Sequence, residues 1–106
     1  MSELPDDLAI ETVWIIEGTY APDAARTRVP FRAQHLARLA ALEDAGVIIE
    51  AGAYTDMSTS LLIVRAADEA AALDIVRGDS YLANGVWVEV RARPFGRLVR
   101  AAAAGG

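Results

Sequence analysis

The sequence predicts an α+β domain of the ferredoxin-like kind, βαββαβ, with an antiparallel sheet and both helices on one face. Three observations predict it. Runs rich in β-branched and aromatic residues, at 11–18, 47–51, 59–66 and 86–93, have strand length. Two helix-forming stretches, 29–45 and 69–77, separate them in the order β-α-β-β-α-β. Each helix lies in a crossover long enough for a right-handed βαβ unit.

Each element has a local reason. Residues 1–10 read as a polar N-terminal leader, and Val13-Trp14-Ile15-Ile16 marks the first strand. A loop containing Pro22 and Asp23 follows. Pro30 suits the first turn of the first helix, alanine and leucine favour its body, and Gly46 stops it. Val47-Ile48-Ile49 opens the second strand, which ends at Gly52 and the turn residues Tyr54-Thr55-Asp56. After the third strand, Asp68 is placed to cap the second helix, which stops at Gly78. In the last strand, Val86, Val88 and Val90 alternate with Trp87, Glu89 and Arg91, so the two sets are expected on opposite faces. Pro94 is expected to end that strand. The domain is therefore expected over 11–98, with an Ala/Gly-rich tail over 99–106 that frays.

Composition narrows the function. The chain is 54% apolar and 24% charged, as expected of a globular domain rather than a disordered one. It has no cysteine, which excludes disulfides and thiolate chemistry, and no lysine, which excludes a Schiff base. The net charge of −5 disfavours a phosphate backbone as partner, so no nucleic-acid binding is expected. The apolar runs are too short to cross a membrane, and the acidic start lacks a basic n-region, so a cytoplasmic location is expected. One histidine without cysteine makes a metal site unexpected, and no phosphate-binding glycine loop or serine triad is present, so no cofactor is expected. The sheet face away from the helices carries apolar residues that one subunit leaves uncovered. A homodimer through that face is the expected partner, with Trp14 and Trp87 as candidates for the core and for that cover.

The topology brings polar residues to one end: Tyr20, the first turns of the first helix, Tyr54, Asp56, Asp79 and Tyr81. His35, the sole histidine, shares a helix face with Phe31, Leu39 and Leu42. An imidazole at the edge of a core suits proton transfer. Asp79 is the carboxylate best placed to orient it, and Asp56 the second choice. The structural alternatives stand beside these roles. A lone histidine on a helix face is often a packing residue, Asp79 is also placed to cap a short turn through Ser80 and Tyr81, and Arg32 and Arg38 are common surface residues.

Four segments, in order, carry a resemblance. Arg32-Ala33-Gln34-His35-Leu36-Ala37-Arg38-Leu39 resembles the R-x-x-H-L-x-x-L helix of YciI-like (YCII-related) proteins. Residues 46–52 are similar to the family's G-x-L-x-x-x-G strand, 79–87 to its D-P-[FY]-x-x-x-G-[VL] segment, and Arg93-Pro94-Phe95 to its closing strand. The resemblance implies a dimeric α+β barrel and a His–Asp pair in a pocket, a role that falls on His35 and Asp79. Ser80 and Ala53 stand where the family often has proline, and the first of these loosens the turn holding Asp79.

Two functions are expected from this. In the first, His35 and Asp79 serve a cofactor-independent lyase, isomerase or elimination enzyme acting on a small organic substrate, anionic or aromatic. Arg32, Tyr54, Asp56 and Tyr81 would bind that substrate. The alternative is a non-catalytic small-ligand-binding or dimeric assembly module in which His35 is structural.

Overall fold

The computed structural model describes residues 4–100. The first three residues of the expected leader, and the tail from 101 onward, lie outside the described residues. Strand β1 (Leu8–Tyr20) is followed by a short helix α1 (Ala24–Thr27), a 3-10 turn (Val29–Phe31) and helix α2 (Arg32–Asp44). Strands β2 (Ile48–Ala53) and β3 (Thr59–Val64), helix α3 (Glu69–Arg77), the single turn α4 (Ser80–Ala83) and strand β4 (Trp87–Arg100) complete the chain. The four strands form one antiparallel sheet in the order β2-β3-β1-β4, the ferredoxin-like arrangement.

The helix ends follow local chemistry. Pro30 sits in the 3-10 turn that leads into α2 rather than inside α2 itself. At the other end Gly46 has φ +81°, its N–H bonds the Glu43 carbonyl, and the Val47 N–H bonds the Leu42 carbonyl. This is a Schellman close, which needs a left-handed residue at that position. Asp68 caps α3 by accepting from the Ala71 N–H at 2.8 Å, a contact worth about 1 kcal/mol.

The core lies between the sheet and the helices. Ile16, Leu62, Val64 and Ile48 from the sheet meet Ala72 and Val76 of α3 and Tyr81 of α4. Trp14 packs against this cluster and Trp87 is buried within it, so both tryptophans face the helices and neither covers the open face.

The outer strands depart from expectation in three ways. β1 starts at Leu8, inside the stretch read as a leader, because residues 8–13 pair with 95–100 of β4. β4 passes through Pro94, which pairs with Trp14. β4 is an edge strand, where alternate N–H groups point away from the sheet, so a proline there removes no ladder bond. The expected alternation in β4 is also broken. Thr19 pairs with Glu89 but Tyr20 pairs with Trp87, leaving Val88 as an extra residue in a β-bulge. The bulge turns Trp87 toward the helices together with Val90 and Ala92, and leaves Val88 exposed.

The open face is mixed rather than simply apolar. Strand alternation sets Val13, Ile15, Leu61, Ile63 and Phe95 there among acidic and arginine side chains. Glu11 is held by Arg65 at 2.9 Å and Arg97 at 3.0 Å, and Glu17 lies 3.4 Å from both Arg91 and Arg93. The Arg65 and Arg97 hydrogen bonds keep the Glu11 carboxyl below its ordinary range.

Gly18 gives the Trp87 indole its place. A Cβ at position 18 would lie 2.9 Å from two carbons of the ring. Gly18→Ala is expected to destabilise the protein by about 1–3 kcal/mol through overpacking. Urea unfolding and the emission of Trp87 measure this, and an unchanged midpoint would show that the ring has room to move.

Candidate functional site

The site is built where the start of α2 meets α4. His35, in the first turn of α2, is buried with 3% of its surface exposed, and Asp79 has 1%. Nδ1 of His35 lies 2.7 Å from Oδ1 and 2.9 Å from Oδ2 of Asp79. Asp79 also caps α4, its Oδ1 accepting from the Tyr81 N–H at 2.8 Å. The capping reading and the pairing reading of Asp79 therefore both hold, since one carboxylate has lone pairs for each. A carboxylate that accepts there makes Nδ1 the donor and leaves Nε2 as the second ring nitrogen. No side chain or backbone group among the described residues bonds Nε2.

Aromatic rings fix the imidazole. Tyr81 stacks on it with centroids 3.6 Å apart and planes 8° apart, and Trp87 meets it edge-on at 5.2 Å and 88°. Tyr81 and Trp87 are themselves perpendicular at 5.6 Å, and Tyr20 closes on Tyr81 at 6.4 Å. Contacts of this kind are each worth about 0.5–1.5 kcal/mol beyond their buried area, so the ring has a defined plane. Arg38, three residues after His35, reaches back to Asp79. Its Nη1 stands 3.6 Å from Oδ2 while Nη2 donates to the Ile75 carbonyl at 2.5 Å.

His35 forms part of the wall of a cavity of about 480 Å³ between α2 and the edge strand β2. Arg28, Arg32, Tyr20 and Tyr81 line it near His35, Leu36 and Leu39 continue along α2, and Ala51, Ala53 and Ser60 form the sheet side. The small side chains of β2 leave the room that the cavity occupies. Burial pushes the Tyr81 hydroxyl above its ordinary pKa, and Tyr20 adds to this, against the opposing pull of Arg28 and Arg32.

Of the residues expected at the site, the structure brings together His35, Asp79, Arg32 and Tyr81. Tyr54 and Asp56 lie elsewhere. Ala51 and Ala53 pair with Leu62 and Ser60 on the helix side of the sheet, so period-2 alternation turns Tyr54 the other way, toward a shallow depression that it lines with Glu50 and Leu61. Tyr54 is 58% exposed there. Asp56 is engaged in its own turn: its carboxylate accepts from the Ser58 N–H at 2.9 Å, and hydrogen bonds from Ser58 lower its pKa. Asp56 is thus not the partner of His35. Arg28, Ser60 and the Trp87 wall were not anticipated. Arg28 falls four residues before Arg32, a spacing that carries weight only once the chain between them is known to coil. Trp87 was hidden by the bulge.

Among the described residues, no group of three or more His, Asp or Glu side chains is placed to hold a metal ion. No helix among them is long and apolar enough to cross a membrane.

Residues 12–96 match the family model described as the YCII-related domain. No curated protein matches the chain. Among solved structures, the fold is similar to that of 5-chloro-2-hydroxyhydroquinone dehydrochlorinase (TftG) from Burkholderia phenoliruptrix AC1100, in complex with 2,5-dihydroxybenzoquinone. The TM-score is 0.68 at 22% sequence identity, covering 78% of this chain and 92% of that one. The likeness establishes a fold of the dimeric α+β barrel kind.

Two outcomes follow from the local geometry. Ser80 is the first residue of α4, its hydroxyl is buried without a partner, and Asp79 before it has ψ 137°, a value proline favours in its predecessor. Ser80→Pro is expected to stabilise the protein by about 0.5–1 kcal/mol, read from thermal or urea unfolding; a loss of stability would show that the turn does not accept the ring. The raised Tyr81 pKa favours the folded state fully below the ordinary tyrosine range near pH 10. That contribution is lost as pH rises through the higher folded-state value, because the unfolded chain releases its proton first. Stability is expected to fall above pH 10, and Tyr81→Phe is expected to reduce the slope.

Proposed function

Because the chain belongs to the YCII-related domain family, we propose that it is a cofactor-independent enzyme in which His35 and Asp79 move a proton on a small organic substrate. The observation that carries this reading is the division of labour on one imidazole. Nδ1 is committed to a buried carboxylate, while the ring forms part of the wall of a cavity large enough for a substrate. Asp79 would hold the tautomer with Nδ1–H and offset the positive charge that forms when Nε2 accepts a proton, as an orienting carboxylate does for other general bases.

The reaction class follows from what the cavity offers. Nε2 takes a proton from a substrate carbon or hydroxyl. The released electron pair forms a new double bond and expels a leaving group from the neighbouring atom, which is an elimination. If no leaving group is present, the protonated ring returns the proton at another position, which is an isomerisation. Arg32 and Tyr81 would hold a polar group of the substrate. The name of the structural neighbour, a dehydrochlorinase seen with a dihydroxybenzoquinone, is in keeping with an elimination on a hydroxylated ring. The active form in this reading is a cytoplasmic homodimer paired through the open sheet face, where Phe95 is exposed among apolar neighbours.

A second reading is favoured by the depth of the pair. His35 is stacked, hydrogen-bonded and buried, which also describes a residue that only ties α2 to α4 in a ligand-binding or assembly module.

The two separate experimentally. Hydroxylated rings, with and without a halogen, are incubated with the protein in D₂O, and halide release and ring-proton exchange are followed by ion-selective electrode and NMR. Turnover is expected with the wild type. It is expected to fall by about a thousandfold or more in His35→Asn, in line with loss of a general base, while that variant remains folded by circular dichroism. Turnover that survives His35→Asn and His35→Ala would contradict the catalytic reading. Loss of stability without any wild-type turnover would favour the second.

A further inference from the structure

The arginines of this chain divide unevenly. All ten basic residues are arginine, and the protein carries a net charge of −5. Eight of them have a carboxylate within ion-pair distance: Arg26, Arg38, Arg65, Arg77, Arg91, Arg93, Arg97 and Arg100. The two whose side chains have no ion pair or hydrogen-bond partner among the described residues are Arg28 and Arg32, and both line the His35 cavity. In a protein with an excess of acids, two unpaired guanidiniums at one spot mark a place where negative charge is to be supplied from outside.

Other groups converge there. Tyr20 and Tyr81 line the same end, and both are buried, at 9% and 1% exposure. Neither phenolic hydroxyl has a hydrogen-bond partner among the described residues, which leaves both free to donate to a ligand in the cavity that these side chains line. Tyr20, Arg28, Arg32 and Tyr81 all line this one cavity, and the two arginines oppose the rise in the Tyr81 pKa. The far end differs in sign. Glu43, eleven residues after Arg32 on α2, lines the cavity roughly 16 Å along the helix axis from it. A cavity of about 480 Å³ holds a single substituted ring with room to spare.

We propose that the His35 cavity is a site for a planar-ring monoanion, whose carboxylate or phenolate oxygen is held by Arg28 and Arg32 with the Tyr20 and Tyr81 hydroxyls donating. Guanidinium groups bind such oxyanions through paired charge-assisted hydrogen bonds. Glu43 makes the far end of the cavity negative, which favours the arginine end for the anionic group. The orientation sets the anionic group on the arginines and the ring beside His35. The proposal deepens the catalytic reading above and rests on it for the location of the site, not for the chemistry.

The test uses 2,5-dihydroxybenzoate and its neutral amide as probes, with calorimetry and ligand-observed NMR on the full chain. The monoanion is expected to bind about tenfold or more tightly than the amide, as charge-assisted bonds outweigh neutral ones. Arg28→Gln and Arg32→Gln are each expected to reduce that preference severalfold, whereas Arg91→Gln on the open face leaves it unchanged. Equal affinity for monoanion and amide, no binding of either at millimolar concentration, or a preference untouched by both arginine changes would overturn the proposal. The outcome is separable from catalysis. A preference lost in Arg28→Gln and Arg32→Gln, in a protein that exchanges no ring protons, removes the enzyme reading and leaves the anion site standing.

Discussion

The structure depends on one hydrogen-bonded pair, His35 Nδ1 to Asp79, whose partners lie 44 residues apart and are both buried. Burying two polar side chains is unfavourable unless each satisfies the other, and leaving either one alone costs on the order of 1–3 kcal/mol or more. The pair therefore ties the first turn of α2 to the entry of α4. It also works through local structure at each end: Asp79 is at once the cap of α4 and the acceptor for His35, and the turn it caps lays Tyr81 over the imidazole. A change to this carboxylate is felt in a helix end, a ring stack and an ion pair together.

The sheet divides the remaining duties. One face carries the core and the cavity, and the bulge at Val88 brings Trp87 to that face as the edge of the imidazole's housing. Gly18 is the complement of that bulge, since only a residue without Cβ leaves room for the indole. The other face neutralises its charges internally, with Glu11 and Glu17 each between two arginines. Exposed pairs of this kind add little stability. Their consequence is for recognition, because arginines paired on the open face are not available as an anion site, and the unpaired ones lie at the cavity.

Much of this was legible in the residues and some was not, for physical reasons. The order of elements, the extent of α3, the Asp68 cap and the Gly46 stop follow from local patterns, and the structure has each of them. The approach of Asp79 to His35 could be read from chain direction alone, since antiparallel topology returns the end of α3 to the start of α2. Chain direction gives the end of the sheet but not the face, which is why Tyr54 and Asp56 were grouped with the site and are not part of it. A bulge shifts the alternation by one residue without a clear mark in composition, so the residues left Trp87 open between the core and the cover of the other face. Pro94 reads as a strand end because sequence alone does not tell an edge strand from a central one. Arg28 carried no signal until the other arginines were found to be paired.

Since the chain has a single histidine, long-range ¹H–¹⁵N NMR of the imidazole tests the central claim directly. The account requires that in the neutral ring the proton resides on Nδ1, bound toward Asp79, with Nε2 bare and shifting when a ring anion is added. A neutral ring protonated at Nε2, or an Nε2 signal indifferent to every added ligand, would contradict it.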